Sequence, residues 1–179
     1  RTGGEVLIFG AGGSSVATLL HLINKPDPGD RPNRFVVVNR SQKRLESMQA
    51  MVRNQPTDIE VEYIRNQDPR LNDQIMEKMP DHSLVINATG MGKDTSGSPV
   101  SWEGLFPRNG IAWDYNYRGE LDFLHQAERQ RESRSLTVED GWLYFVHGWT
   151  QVVAQVLHVD LDEELFKRME ALAGTVRGK

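Results

Sequence analysis

A short apolar run that passes directly into glycines, and then into a helical pattern, constrains this fold more than any other feature of the sequence. The run is Val6–Phe9, the turn is GAGGSS, and residues 15–23 follow with helical spacing of their apolar side chains. Glycines let the chain turn tightly at the end of a strand, and the free N–H groups at a helix start attract anions. The segment predicts the start of a phosphate-binding βαβ unit.

The rest of the chain alternates between short apolar runs and helical stripes. An unbroken run such as FVVV at 35–38 is typical of a strand covered on both faces. Strands that alternate with helices predict an α/β fold, a doubly wound, Rossmann-like parallel sheet with two C-terminal helices. The predicted strands are 6–9, 35–38, 59–64, 84–88, 111–113 and 135–138, and the predicted helices are 15–23, 43–52, 71–79, 121–129, 142–156 and 162–172.

Length and composition favour one globular domain. A chain of 179 residues has the common size of a single domain, and we assign residues 1–179 to one dinucleotide-binding domain. The net charge of −4 argues against nucleic-acid contact, which usually needs a basic face. No apolar run approaches the length of a membrane helix. We expect a cytoplasmic protein without membrane contact.

The residues that commonly bind metals do not form a pattern here. The sequence contains no cysteine, which excludes disulfides and thiolate metal ligands. Its histidines and acids do not show the spacing of a metal site, so we expect none. The chain also starts without methionine, a few residues before the first strand, and is expected to be part of a longer protein.

The glycine turn carries the residues expected to contact a pyrophosphate. Gly10 can form the tight turn, Gly12 lets the backbone approach phosphates, and Ser15 fills the third small position of the G-x-G-x-x-G pattern. A turn that only links strand and helix is the alternative, but the correct flanking elements favour dinucleotide binding. The predicted contacts are Gly10, Ala11, Gly12, Gly13 and Ser14.

Basic residues after the second strand indicate NADP rather than NAD. An NAD site would place an acid here to bind the ribose hydroxyl, and the first acid, Glu46, lies well inside the helix. Guanidinium groups pair well with phosphate. A solvated basic face is the alternative, although cations at a helix N-terminus oppose the helix dipole. The predicted 2′-phosphate site comprises Asn39, Arg40, Ser41, Lys43 and Arg44.

Five motifs occur in an order that resembles the shikimate and quinate dehydrogenases. They are GAGGSS, NRSQKR, INATGMG at 86–92, DYNY at 114–117 and EDGW at 139–142. Glutamyl-tRNA reductases share the first two motifs and part of the third, whereas the last two favour the dehydrogenases. The resemblance covers nearly the whole chain and corresponds to the C-terminal NADP-binding domain of the family.

The resemblance implies roles for residues at the later strand ends. The resemblance places Asp114 beside the nicotinamide ribose. His147 aligns with a substrate-contacting glutamine of the family only if one residue is deleted after Gly141. Two interpretations of His147 therefore stay open: a changed contact with substrate, or a histidine that only packs against its neighbours. The implied cofactor contacts are Asn87, Ala88, Thr89, Tyr115 and Gly141, and the implied substrate contacts are Tyr117 and His147.

The implied reaction is hydride transfer between NADP(H) and a cyclic hydroxy acid. In the family a lysine and an aspartate of a separate N-terminal substrate domain serve the proton transfer. We therefore expect no catalytic residue in this chain and no turnover by the chain alone. Lys93 and Asp94, in a loop, are expected at the surface. A sensor or interaction module of a quinate-pathway regulator, without catalysis, is the alternative.

The two C-terminal helices, at about 141–179, are expected to pack toward the N-terminal domain. The first of them is apolar nearly all round, which indicates burial on more than one side. In a chain without the other domain, one flank would be exposed and would favour a homodimer.

Overall fold

The structure, a computed structural model, describes residues 3–177, so the predicted domain 1–179 extends beyond it by residues 1, 2, 178 and 179. Its strands form one sheet in which every neighbouring pair is parallel. The strands are β1 (Val6–Phe9), β2 (Arg34–Asn39), β3 (Glu60–Arg65), β4 (Leu84–Asn87), β5 (Ile111–Asp114) and β6 (Thr137–Glu139). Their order is β3-β2-β1-β4-β5-β6. This is the doubly wound order, and the predicted fold class is confirmed.

Helices connect the strands on both faces of the sheet. They are α1 (Gly13–Ile23), α2 (Gln42–Val52), α3 (Pro69–Glu77), α4 (Asp122–Glu128), α5 (Arg131–Arg134), α6 (Trp142–Leu157) and α7 (Glu163–Gly174). The loop between α1 and β2 contains a short 3-10 helix, Pro28–Asp30, whose N-cap is Asp27. Every predicted helix is present within the described residues.

Several predicted boundaries are off by two residues, as in α3, predicted at 71–79 and observed at Pro69–Glu77. Two of these differences have local reasons. α1 starts at Gly13 rather than at residue 15, because Gly12 is its N-cap. The last strand starts at Thr137 rather than at residue 135, because the unpredicted helix α5 ends in Ser135, which has a left-handed backbone with φ of 53°. Without a glycine there, the sequence carries no clear sign of this helix end.

The apolar strands are buried on both faces, as their unbroken runs predict. Val36 and Val37 point to opposite faces of the sheet, and both are fully buried. Val36 packs in the cluster that includes Phe9 and Phe106, whereas Val37 packs with Leu19 of α1. The central strands are thereby held rigidly between two helical layers.

The register of the sheet brings three strand ends to one level. Phe9 at the end of β1 pairs with Val38 of β2 on one side and with Asn87 of β4 on the other. The chain crosses from one half of the sheet to the other between β1 and β4. A crevice opens at such a switch point in α/β sheets.

Within the described residues α6 is buried on one side; the predicted burial of its other side, against the N-terminal domain, stays a prediction. Its buried residues are Trp142, Val146, Thr150 and Ala154. Its exposed apolar residues are Leu143, Trp149, Val152, Val153, Val156 and Leu157. The exposed flank matches the expectation for this domain by itself. Between residues 3 and 177 we find no helix with both the length and the apolar character required to span a membrane.

Candidate functional site

A cleft of about 630 Å³ opens at the switch point, where β1, β2 and β4 end. It is bounded by the glycine turn, by the residues after β2 and by the turn after β4. The predicted contacts that line it are Gly10, Ala11, Gly12, Asn39, Arg40, Arg44, Ala88 and Thr89. Three separate sequence motifs therefore meet in one concave site.

The glycine turn is held in place from several sides. Gly10 has φ of +110°, and a Cβ on it would lie 2.6 Å from the carbonyl oxygen of Ala88. Its N–H donates to the Val38 carbonyl at 2.8 Å, and its carbonyl accepts from Oγ of the buried Ser15 at 2.8 Å. A Cβ on Gly12 would instead meet no atom within 4 Å. The turn is rigid, and open space lies above Gly12.

The start of α1 offers unpaired donors beside this open space. Gly12 is the N-cap without a side-chain cap, and the first turn contains no acidic residue. The N–H groups of Gly13 and Ser14 have no acceptor inside the helix, because the first four amides of any helix lack one. Together with the helix dipole, they favour an anion.

The basic wall of the cleft, formed by Arg40 and Arg44, lies just after β2. Both side chains are exposed and line the cleft, and neither has an ion-pair partner among residues 3–177. Asn39 donates to the Ser41 carbonyl at 3.1 Å. Ser41 caps α2, since its Oγ accepts from the Arg44 N–H at 3.4 Å. Lys43 is exposed and does not line the cleft.

A further wall comes from residues 66–69, between β3 and α3, which are not among the contacts predicted from the sequence. Asn66 continues the strand pairing and donates from its N–H to the Asn39 carbonyl at 3.1 Å. Asp68 is the N-cap of α3, and its Oδ1 accepts from the Arg70 N–H at 2.9 Å. The Asp-Pro pair, typical of a helix start after a strand, could have indicated this wall.

The turn after β4 is built on Asn87. Its Oδ1 accepts from the Thr89 N–H at 3.1 Å and from the Thr89 Oγ1 at 2.6 Å. Thr89 Oγ1 in turn accepts from the Met91 N–H at 3.2 Å. Asn87 is fully buried and does not line the cleft, so its contact with the cleft is indirect and runs through Thr89.

Asp114, at the end of β5, anchors this turn from behind. The residue is fully buried, and its Oδ1 accepts from Asn87 Nδ2 at 3.1 Å and from the Asn116 N–H at 2.9 Å. Its Oδ2 has no hydrogen-bond partner among residues 3–177. Burial raises the pKa of Asp114 to about 6, against the opposing effect of the hydrogen bonds from Asn116 and Asn87.

Tyr115 and Gly141 lie together, outside the cleft. The Tyr115 hydroxyl shares a hydrogen bond of 2.7 Å with Thr18 Oγ1 of α1, and its ring stacks on Tyr144 with centroids 4.5 Å apart. Burial raises the pKa of this hydroxyl. A Cβ on Gly141 would overlap the Tyr115 carbonyl oxygen, so this glycine allows α6 to start against the end of β5.

The predicted substrate contacts are not brought into the cleft. Tyr117 stacks on Phe145, with ring centroids 4.2 Å apart. His147 is exposed and stacks on Phe166 of α7, with centroids 4.0 Å apart and an interplanar angle of 12°. The structure thus shows His147 in a packing contact, and its contact with substrate stays a prediction.

The loop residues Lys93 and Asp94 do not line the cleft. Lys93 pairs with Asp94 at 3.3 Å in a loop, and the Asp94 side chain is largely exposed. Within residues 3–177 we find no group of three histidine, aspartate or glutamate side chains that could hold a metal ion.

Comparison with known proteins identifies the family. No protein-family model matches the chain. The chain is 30% identical over 139 residues to the shikimate dehydrogenase (NADP(+)) of Methylobacillus flagellatus, and 30% identical over 148 residues to that of Symbiobacterium thermophilum. The chain belongs to the shikimate dehydrogenase family. These alignments cover 78% and 81% of the chain but 44% and 46% of the two relatives, so this shikimate dehydrogenase homologue spans about half their length.

Solved structures share the fold of this shikimate dehydrogenase homologue. A chorismate mutase/shikimate 5-dehydrogenase fusion protein from Clostridium acetobutylicum superposes with a TM-score of 0.63 at 18% identity, over 98% of this chain and 55% of that one. Shikimate 5-dehydrogenase from Thermus thermophilus in complex with shikimate gives 0.60 at 21% identity, over 98% and 56%. A 5-ketofructose reductase of Gluconobacter gives 0.59 at 18% identity, over 96% and 57%.

Proposed function

We propose that this chain is the NADP(H)-binding domain of a shikimate or quinate dehydrogenase-like oxidoreductase. The curated relatives carry NADP(+) in their names, and the chain has a cleft at the position where α/β sheets bind dinucleotides. The nicotinamide supplies the hydride acceptor or donor when it is bound. The whole protein would transfer hydride between NADP(H) and a cyclic hydroxy acid, with a substrate domain outside this chain.

The glycine turn fits a pyrophosphate. Gly10 lets the chain after β1 pass close to the Ala88 carbonyl, and any larger side chain at position 12 would fill the space above Gly12. The uncapped amides of Gly13 and Ser14 face no competing acid in the first turn of α1. These three features, tight turn, open space and free donors, are what a bound pyrophosphate requires.

The observation that carries the choice of NADP(H) is the basic wall. Arg40 and Arg44 line the same cleft as the glycine turn, and neither has an ion-pair partner among the described residues. β2 ends in Asn39 and not in an acid. The one carboxylate of this cleft, Asp68, caps α3. Two free guanidinium groups without a nearby strand-end acid suit a 2′-phosphate.

The remaining assignments follow the family resemblance. We assign Asn87, Ala88 and Thr89 to the side of the cofactor that joins adenosine to nicotinamide, and their support is the cleft wall formed by Ala88 and Thr89. Tyr115 and Gly141 are assigned to the nicotinamide end. Substrate contacts by Tyr117 and His147 are proposed on the resemblance alone. We assign no catalytic side chain to this chain.

A sensor or interaction module without catalysis is the less favoured function. The curated relatives are named as dehydrogenases. The cleft also keeps an open glycine turn and two arginines that have no ion-pair partner in the described part of the chain. A protein without a nucleotide ligand would not require these features. These observations favour the enzyme domain.

We further propose that the exposed flank of α6 mediates contact with the substrate domain or, in this chain by itself, with a second copy. Its support is the set of exposed apolar side chains on α6, which includes Trp149, 58% exposed, and Val156, 69% exposed. Light scattering should show association that rises with concentration and is lost in Trp149→Glu. A monomer at every concentration would contradict the homodimer. The cytoplasmic location stays a prediction.

The proposed cofactor is tested by calorimetric titration of the chain with NADPH and, separately, NADH. We expect NADPH to bind at least about tenfold more tightly, because a charge-assisted pairing with the 2′-phosphate contributes roughly 1.5–3 kcal/mol. Equal affinities would refute the 2′-phosphate site. Failure of both nucleotides to bind would refute the dinucleotide site and favour the module without catalysis.

A further inference from the structure

We propose that Asp114, which does not itself line the cleft, is a positioning residue that holds the turn of residues 88–91 in its cofactor-binding shape before any ligand arrives. The inference rests on the proposed NADP(H) site, since it assigns a purpose to that shape. Ala88, Thr89 and Met91 of the turn line the cleft, whereas Asp114 is fully buried behind them.

Asp114 first determines which way the Asn87 amide points. A carboxamide can be turned either way, but only its nitrogen can donate to a carboxylate oxygen. Because Asp114 Oδ1 accepts from Asn87 Nδ2 at 3.1 Å, Asn87 Oδ1 faces the opposite side. There it accepts from both the N–H and the hydroxyl of Thr89. The orientation of Thr89 in the cleft therefore depends on an acceptor at Asp114.

Asp114 also holds a second arm of the same turn. Its Oδ1 accepts from the Asn116 N–H at 2.9 Å. Asn116 Nδ2 then donates to the Met91 carbonyl at 3.0 Å, and Asn87 Nδ2 reaches the same carbonyl at 3.3 Å. Two amides that both depend on one carboxylate oxygen thus converge on Met91, and the turn is tied at two points.

The burial of this carboxyl is unfavourable for the fold alone. A fully buried polar oxygen without a hydrogen-bond partner is destabilising, and Asp114 Oδ2 has none within residues 3–177. The other oxygen, Asp114 Oδ1, accepts hydrogen bonds from Asn87 and Asn116, which shape the cleft wall. A buried group that is unfavourable for stability and is directed at a site is typical of function rather than of packing.

The test compares three variants for NADPH affinity and for amide hydrogen exchange in the free chain. Asp114→Ala removes the acceptor, and we expect about a tenfold loss of NADPH affinity with faster exchange of the Thr89 and Met91 amides. Asp114→Asn keeps an acceptor oxygen and is expected to stay within about twofold of wild type in NADPH affinity. Ser83→Ala is the control, because Ser83 is fully buried and hydrogen-bonded to Pro80 before β4.

Ser83→Ala lowers stability without touching the turn, so its NADPH affinity and its Thr89 and Met91 exchange should match wild type. NADPH affinity in Asp114→Ala equal to that of wild type overturns the inference and leaves the proposed function intact. A third outcome is that wild type binds no NADPH but Asp114→Ala still exchanges its Thr89 and Met91 amides faster than wild type. This outcome refutes the proposed function and supports the role of Asp114 in holding the turn.

A measurement on the wild-type chain keeps the inference testable if Asp114→Ala does not fold. A turn that is fixed before binding requires protected Thr89 and Met91 amides in the free chain, because both donate within the network. If the Thr89 and Met91 amides exchange their hydrogens as fast as those of an unstructured chain, the inference is overturned. Protection that is already present without NADPH supports it.

Discussion

The two walls of the cleft differ in how far their polar groups are already paired. On the basic wall, Arg40 and Arg44 are exposed and have no ion-pair partner among the described residues. Behind the opposite wall, which Ala88 and Thr89 form, Asn87 and Asp114 are fully buried and joined by a hydrogen bond, and Asn87 in turn supports Thr89. The first wall offers charge to a ligand, and the second offers shape.

The difference determines whether each wall loses its conformational freedom on folding or on ligand binding. The two arginines keep their rotamer freedom in the free chain and lose it when a ligand binds. The network at Asn87 and Asp114 is ordered when the chain folds. Changes on the basic wall should therefore alter affinity and leave stability alone. Changes behind the other wall should alter stability as well.

The glycine turn between the walls gives the largest expected effect. Gly10→Ala combines φ of +110° with a Cβ 2.6 Å from the Ala88 carbonyl oxygen, so unfolding in urea should show a loss of about 3 kcal/mol. Gly12→Ala is the matched control, because its Cβ meets no atom within 4 Å. It should fold within about 0.5 kcal/mol of wild type and lose NADPH affinity. Equal stabilities of the two variants would contradict this account.

Asp114 gives the next largest effect, through the pH dependence of stability. Its pKa is raised from 3.8 to about 6 in the folded chain, so the folded state binds the proton more tightly than the unfolded state. The contribution of Asp114 to stability is therefore greatest below its unfolded pKa. It falls as the pH rises to its folded pKa and is flat above it, and the total change is at most about 3 kcal/mol.

Asp114→Asn should remove this dependence, since a carboxamide does not titrate. The free energy of unfolding of the variant minus that of wild type should rise between about pH 4 and pH 6. Ser83→Ala changes no ionisable group, so its difference from wild type should stay level over the same range. A level difference for Asp114→Asn as well would mean that Asp114 titrates alike in both states.

Arg44 and Lys43 form a matched pair for testing which cation of the basic wall contacts the ligand. Arg44 lines the cleft and Lys43, its neighbour in α2, does not. Arg44→Ala should lower NADPH affinity by about 1.5–3 kcal/mol, whereas Lys43→Ala should change it by about 0.5 kcal/mol or less. Calorimetric titration measures both, and thermal unfolding should place both close to wild type. Equal losses of affinity would show a diffuse basic field instead of a defined contact.

The sequence predicts the fold well because its signals are local. The unbroken apolar run at 35–38 indicates a buried strand, and the glycines at 10 and 12 indicate the turn. Lys43 was predicted in the site from proximity alone. Arg40 reaches the cleft from the end of β2, before the Ser41 N-cap, and Arg44 reaches it from α2, where Lys43 points about 100° away from Arg44 on a helical wheel.

The parts of the site that sequence reasoning missed depend on distant pairs. Residues 66–69 reach the cleft only because β3 pairs with β2. The role of Asp114 as an acceptor for Asn87 depends on the register of β4 with β5, which aligns these two residues. Nothing in DYNY or INATGMG by itself shows that register. Likewise, the stacking of His147 on Phe166 arises from the packing of α7 on α6.

The most direct test of the central claim is a cycle of four titrations: wild type and Arg40→Ala, each with NADPH and with NADH. If the basic wall binds a 2′-phosphate, Arg40→Ala should weaken NADPH by about 1.5–3 kcal/mol and leave NADH within about 0.5 kcal/mol. Equal weakening of both nucleotides, or no weakening of either, would contradict the assignment of this cleft to NADP(H).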